Sequence, residues 1–246
     1  MKNKAFQILC IFCIILSLSN CSKEKNQNII HVNKNAETLL ENEFIIRGTT
    51  FSNNLNNAYI YKVESDTLSL LDTIVIKEKA FTYKGIAKQP EFYAIKVDAS
   101  DINYKFLVDA SEINMFLNTN LFLSSTSSNS EVQKVYASYR TAMDAFYYKE
   151  RELFLKYKSP QTASKRTSIF NVDLENLQAE KIAFVKQFIE TNYDSEFIPF
   201  VLKENYHSFS PESLRKLHDT LSKNIQKLPS VKLLNERILK QEKQDL

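Results

Sequence analysis

The spacing of apolar and polar positions changes character three times along this chain. Ala5 to Leu18 is almost wholly apolar, with Gln7 and Ser17 as its polar interruptions. Residues 22–42 (SKEKNQNIIHVNKNAETLLEN) are polar and hold no sustained period. From Glu43 the chain breaks into short runs rich in Ile, Val, Tyr, Phe and Thr: "EFIIRGTTF", "AYIYKV", "LSLLDTIVIK", "AFTYKG", "EFYAIKVD", "NYKFLVD" and "EINMFLN". Several alternate in period two, as Ala58 and Ile60 do against Tyr59 and Tyr61. Short strands separated by Asn, Asp and Ser clusters predict an antiparallel β-sandwich or barrel over 43–123. "SNNLNN" (52–57) is turn chemistry, because Asn tolerates the left-handed backbone of tight turns. "TNLFLSSTSSNS" (119–130) closes this region and is the expected boundary.

From Glu131 the period becomes helical, and residues 129–243 are predicted to form an all-helical region. Val132, Tyr136, Tyr139, Met143, Phe146, Leu153 and Tyr157 recur at spacings of three and four, with Glu150 interrupting. "KSPQTASKRTS" (158–168) reads as a loop, followed by a helix over 173–190 that buries Leu174, Leu177, Phe184, Val185 and Phe188. "TNYDSEF" breaks that helix, and a shorter one carries Phe197, Phe200, Val201 and Leu202. Ser210, Pro211 and Glu212 are a helix start: a capping hydroxyl, a preset φ and an acid in the first turn. One helix from there carries Leu214, Leu217, Leu221 and Ile225; another, after Pro229-Ser230, carries Val231, Leu234, Ile238 and Leu239. The fold class is therefore α+β, with the β part first.

The apolar run at the start changes the picture of where the protein resides. Lys2 and Lys4 precede it, and it is shorter than the ~20 residues of a membrane span. A charged start, an apolar stretch and small residues ahead of a cleavage point make 1–20 a signal peptide. Leu18-Ser19-Asn20-Cys21 resembles the lipobox of bacterial lipoproteins, whose cysteine is acylated at the new N-terminus. Asn20 departs from the usual Gly or Ala, which implies slower cleavage. Cys21 is the candidate lipidation site, and 21–42 the lipidated cysteine with a flexible tether to the first strand. The competing reading keeps the apolar run as an uncleaved anchor with Cys21 free. Cys10 and Cys13 are spaced C-x-x-C, but they leave with the signal peptide, whereas a working dithiol needs a thiolate poised in a folded domain.

Charge and composition narrow the chemistry. The chain has 32 basic and 29 acidic residues, a formal +3; loss of Lys2 and Lys4 with the signal peptide leaves +1. Nucleic-acid binding wants clustered basic charge, so no nucleic-acid partner is expected. Gly48 and Gly85 are the chain's 2 glycines, too few and too far apart for a phosphate-cradling loop, so no nucleotide is expected either. His31 falls in the tether, leaving His207 and His218 in the folded part with Ser210 and Pro211 between them. Two histidines on separate elements, with no cysteine beside them, fall short of a zinc site, and no metal or other cofactor is expected. No G-x-S-x-G elbow is present. Asp219 follows His218 by one helical step of about 100° and is not expected to orient it. Lys223, Lys227, Lys232, Arg237, Lys240 and Lys243 alternate with Glu236, Glu242 and Asp245, a solvated face or, in the sharper reading, an attraction to anionic membrane. The tyrosine-rich seam of 136–157 is read as core, part of which faces a partner.

"FIIRGTT", "AYIYKV", "LLDTIVIKEKAFTYKG", "FYAIKVD" and "KFLVD" resemble the uncharacterised β-rich domain at the front of thioredoxin-like (AhpC/TSA-type) thiol–disulfide lipoproteins. Gly48 and Gly85 stand where that family keeps glycine, and Phe81 and Tyr83 match its hairpin aromatics. Lys79 replaces its turn glycine, which implies a looser or differently turned hairpin. The helical half, with "FIETNYDSEFIPFVL" and "FSPESLRKLHDTLSKNIQKLPSVKLL", is similar to the segment that follows in those proteins. The family's thioredoxin-like domain, with its C-x-x-C, would begin near Leu246, so none of its catalytic residues carries over. The resemblance implies a membrane-anchored lipoprotein acting as a non-catalytic accessory module of the cell envelope. Its expected setting is the outer membrane of a Gram-negative bacterium, and its expected partner a thioredoxin-fold protein. The alternatives are an envelope structural or stress lipoprotein without a specific ligand, and a hydrolase with dispersed residues.

Overall fold

Strand formation follows the alternation closely. The computed structural model describes residues 39–244 except 53, 65–66, 99, 122 and 158–162. The expected signal peptide, Cys21 and the tether as far as residue 38 lie outside the described residues. Eight strands follow: β1 (Glu43–Thr50), β2 (Asn57–Glu64), β3 (Thr67–Val75), β4 (Ala80–Ile86), β5 (Glu91–Val97), β6 (Tyr104–Val108), β7 (Glu112–Asn118) and β8 (Leu123–Ser127). They form two four-stranded sheets, ordered β4-β1-β7-β8 and β3-β2-β5-β6. Alternate side chains of both sheets meet in one core, among them Phe44, Ile46, Ile60, Phe81, Ile95, Phe106, Ile113 and Leu117. Stacked antiparallel-rich sheets make this the expected sandwich, with one departure. β1 and β7 run parallel, Ile45 opposite Glu112 through Thr50 opposite Leu117.

The two glycines have a steric purpose. Gly48 stands directly across from Phe81, and Gly85 from Phe44, in the β1–β4 ladder. Neither has a positive φ. A Cβ on Gly48 would lie 1.9 Å from Phe81 Cζ, and one on Gly85 2.6 Å from Phe44 Cζ. Each ring therefore lies over the bare backbone of the opposite strand, filling the space that a glycine leaves in a sheet.

Several local expectations are corrected. The hairpin before β4 is tight: Lys77 and Ala80 exchange both backbone hydrogen bonds at 2.9 and 2.8 Å. Glu78 (φ 50°) and Lys79 (φ 65°) both sit in the left-handed region of a two-residue turn, where glycine or asparagine is favoured. β8 falls in the stretch read as a boundary. Its Ser-rich sequence has no apolar alternation, yet an edge strand needs only its backbone ladder to β7.

The helices are α1 (Glu131–Tyr157), α2 (Ala163–Thr191), α3 (Ile198–Glu204), α4 (Pro211–Thr220), α5 (Lys223–Gln226) and α6 (Pro229–Gln244), with a 3₁₀ turn at Tyr206–Ser208. α2 starts ten positions before 173, at Ala163, in a stretch whose opening "ASKRTS" carries no apolar period but tolerates a helix. Ser210 caps α4 as expected, accepting from the Ser213 N–H at 3.2 Å. The single helix expected through Ile225 is two, because Leu221 is extended (ψ 147°) and Ser222 caps α5. Leu221 and Ile225 are still buried. Leu239 is 42% exposed, contrary to expectation, since Val231, Leu234 and Ile238 already define the buried stripe of α6. Among the described residues, no helix is long and apolar enough to cross a membrane.

The helical layer covers part of the outer face of the second sheet, over β5 and β6. Leu107 on β6 belongs to the helical core, and Phe92 on β5 packs against it. A buried polar knot joins the layers. Asp109 accepts from Ser111 Oγ at 2.5 Å and from Gln133 Nε2 at 3.1 Å, and also from Ser130 Oγ at the start of α1. Gln133 Nε2 also donates to the Leu107 carbonyl at 2.9 Å. Buried polar groups partnered in this way fix the register of α1 on the sheet.

Candidate functional site

Where the helical layer leaves part of that sheet face uncovered, a groove of about 1100 Å³ opens between β5–β6 and helices α1 and α3. β5 and β6 supply Phe92 and Lys105, α1 supplies Tyr136, Arg140 and Met143, and α3 supplies Phe200, Lys203 and Glu204. Strand alternation places Phe92 and Leu107 on the outer face, opposite the core-facing Tyr93 and Phe106. The floor is aromatic. Phe92 meets Tyr136 at 5.8 Å and Phe200 at 5.2 Å, with rings inclined by 73° and 83°. Phe197 continues the cluster to Tyr136 at 5.3 Å and to Tyr139 at 5.7 Å.

The rim is charged and partly self-paired. Lys62 bridges Glu91 at 3.0 Å and Glu64 at 3.4 Å. The hydrogen bond to Glu91 outweighs partial burial and pushes the Lys62 ammonium up, so it stays charged. Lys105 Nζ lies 4.3 Å from the centre of the Phe92 ring, a cation–π contact. Burial pushes the Tyr139 phenol up to about 12, against the opposing hydrogen bond from Asn205. Tyr136 is raised by burial as well, despite the Arg140 guanidinium beside it. Both phenols are neutral donors near neutral pH, and Tyr139 donates to Glu204 Oε2 at 3.4 Å. Proton transfer favours a group whose pKa is near the working pH; these two phenols are suited to hydrogen bonding and orientation.

The seam read from the sequence splits between two duties. Tyr139 is buried, Phe146 meets Phe184 at 5.7 Å and Tyr157 meets Phe170 at 5.5 Å, which is core packing against α2. Tyr136 and Met143 line the groove, and Tyr139 borders it as well. The β5 and β6 contributions were not anticipated. Their signal is present: "FYAI" and "FLV" are unbroken apolar runs, the mark of strands covered on both faces.

The histidines occupy separate elements, His207 in the 3₁₀ turn and His218 in the last turn of α4. Among the described residues, no three His, Cys, Asp or Glu gather as a metal site. One expectation is overturned. His218 Nδ1 lies 3.1 Å from Asp219 Oδ1. One helical step separates the Cα positions, but side-chain rotation at the helix end closes the gap. Among the described residues, no hydroxyl hydrogen-bonds the other ring nitrogen, so the pair stands as a dyad at a helix terminus. Lys223, Lys227, Lys232, Arg237 and Lys240 are exposed, consistent with a solvated face.

No curated protein matches the chain. Residues 44–136 match the model of a family described as Domain of unknown function (DUF4369). The match begins in β1 and ends at Tyr136 on α1, so an uncharacterised, β-rich N-terminal domain covers the sandwich and includes Phe92 and Tyr136 of the groove.

Proposed function

We propose that this protein is a lipid-anchored lipoprotein of the cell envelope, in the outer membrane of a Gram-negative bacterium. It acts there as a non-catalytic module that docks a partner protein in the groove between sheet and helices. The observation that carries this reading is the groove itself, an open cleft with an aromatic floor and a charged rim. Aromatic residues and arginine in a partly desolvated cleft are the usual anchors of protein interfaces. The anchor is Cys21, acylated within Leu18-Ser19-Asn20-Cys21. Two or more acyl chains hold a protein on a membrane where a single chain gives only marginal binding. The resemblance to the front half of thiol–disulfide lipoproteins supports a thioredoxin-fold protein as the partner.

The test is photo-cross-linking in the native cells. A benzophenone amino acid placed at position 203 on the groove rim is compared with one at position 232, exposed on α6. One thioredoxin-fold protein captured from position 203 alone is the expected result; identical captures from both positions refute groove docking. Metabolic labelling with an alkyne fatty acid tests the anchor: label is incorporated and is lost in Cys21→Ala. Label that persists in Cys21→Ala refutes the anchor assignment.

A further inference from the structure

The chemistry of the rim and floor specifies what the groove takes. Lys105, Arg140 and Lys203 converge on it from β6, α1 and α3, and among the described residues none is ion-paired. Of the acids on the same rim, Glu64 and Glu91 share Lys62, and Glu204 keeps its negative charge while accepting from the Tyr139 hydroxyl. The 4 basic side chains lining the groove (Lys62, Lys105, Arg140, Lys203) outnumber its 3 acidic ones (Glu64, Glu91, Glu204), so its net charge is positive and its complement is negative. The floor is uneven, because Phe92, Tyr136 and Phe200 meet edge to face at 73° and 83°. Edge-to-face rings leave notches into which side chains can fit. The groove, at about 1100 Å³, also exceeds the usual size of a small-molecule pocket, which suits a length of polypeptide.

The apolar track continues beyond the groove. On α1, Tyr136, Arg140, Met143 and Tyr147 recur at four, three and four residues, and Phe154 follows seven later. Tyr136 to Phe154 is 18 residues, five turns at the α-helical period of about 3.6 residues, so these positions keep to one stripe along α1 against which a second helix can lie. Tyr147 and Phe154 are 64% and 52% exposed. On the sheet side, groove-lining Val63 stands opposite Leu68 of edge strand β3, which is 42% exposed.

We infer that the groove binds an acidic amphipathic helix of a partner protein. Its apolar stripe would lie along Phe92, Tyr136, Met143 and Tyr147, with its carboxylates against Lys105, Arg140 and Lys203. This rests on the docking reading above and specifies the partner's chemistry. An amphipathic helix in an apolar groove, with a charged flank setting specificity, is an established recognition mode.

The test uses the full acylated chain in detergent and two fluorescent synthetic peptides of about 18 residues, long enough to form a helix on binding. Both carry the same leucine stripe; one has Glu at every other position, and one has Lys. The Glu peptide is expected to bind about tenfold more tightly than the Lys peptide, and to weaken as salt rises from about 50 to about 500 mM. The triple variant Lys105→Glu/Arg140→Glu/Lys203→Glu is expected to reverse the preference. The control Lys223→Glu/Lys227→Glu/Lys232→Glu is expected to leave it unchanged. If the triple variant fails to fold, the single exposed change Arg140→Glu is expected to reduce the preference and carries the test. Equal binding of the two peptides, binding of neither, or a preference that survives the groove reversal overturns the inference. Cross-linking from position 203 to a partner segment that is not acidic overturns it while leaving docking intact. Loss of the position-specific cross-link removes docking as well.

Discussion

Replacing Gly48 with alanine tests whether space, and not backbone freedom, holds glycine in β1. The new Cβ would meet Phe81 Cζ, Cε1 and Cε2 at 1.9, 2.2 and 2.3 Å. Non-bonded carbons rest at about 3.5–4.0 Å, so the ring must retreat by roughly 1.5 Å or more. It has no room to do so: Phe81 is 4% exposed and lies in the sandwich core. Forcing extra volume into a packed core costs about 1–3 kcal/mol. Expelling the ring instead forfeits about 1.5–3 kcal/mol of burial. Either route predicts a loss of about 2–3 kcal/mol, or about 4–12 °C in Tm for a chain of this size. Urea unfolding followed by far-UV circular dichroism measures it directly. A double-mutant cycle isolates the cause. In a Phe81→Ala background, Gly48→Ala should cost nothing, or gain about 0.5–1 kcal/mol because glycine is a poor strand residue. A Gly48→Ala protein within about 0.5 kcal/mol of wild type would refute the reasoning.

Three further outcomes follow from local geometry. Lys79→Gly should stabilise the protein by about 1 kcal/mol, since Lys79 holds φ 65° at a left-handed penalty that glycine escapes; an unchanged urea midpoint would contradict this. Asp109→Ala should destabilise by about 1–3 kcal/mol, because Ser111, Ser130 and the buried Gln133 amide each lose an acceptor and Gln133 keeps only the Leu107 carbonyl, and hydrogen exchange should quicken at the start of α1; unaltered exchange there would separate the knot from helix docking. Asp98 gives a pH signature. Burial alone would raise its carboxyl, but hydrogen bonds from the Tyr59 hydroxyl and from Asn57 and Asn56 hold it below the usual carboxylate range. A depressed folded value means stability present above the unfolded pKa of about 3.9 and lost as pH falls through the folded value. The stability gap between wild type and Asp98→Asn should thus be widest near neutral pH and close as the medium is acidified below about pH 4; a gap that widens in acid would reverse the sign.

Local sequence decided those features whose causes are local. The short runs between Glu43 and Asn118, rich in β-branched and aromatic residues and several alternating in period two, became seven strands, because such residues and spacing favour extended backbone locally. Ser210-Pro211 opened α4 because a cap and a preset φ act within one turn. The tyrosine seam of α1 was legible as a face, though not the split of that face between α2 and the groove. What the chain could not announce depends on partners distant in sequence. β8 exists because β7 offers an edge to a Ser-rich segment with no pattern of its own. The parallel pairing of β1 with β7 joins segments more than sixty residues apart. Gly48 and Gly85 read as family landmarks, but their physical reason is a ring on the opposite strand. The groove is the furthest case: Phe92, Lys105, Arg140, Phe200 and Lys203 come from four elements, and only packing the helical layer across half of one sheet face brings them to one rim. Periodicity encodes which side of an element is buried, whereas a site is set by what that side is buried against.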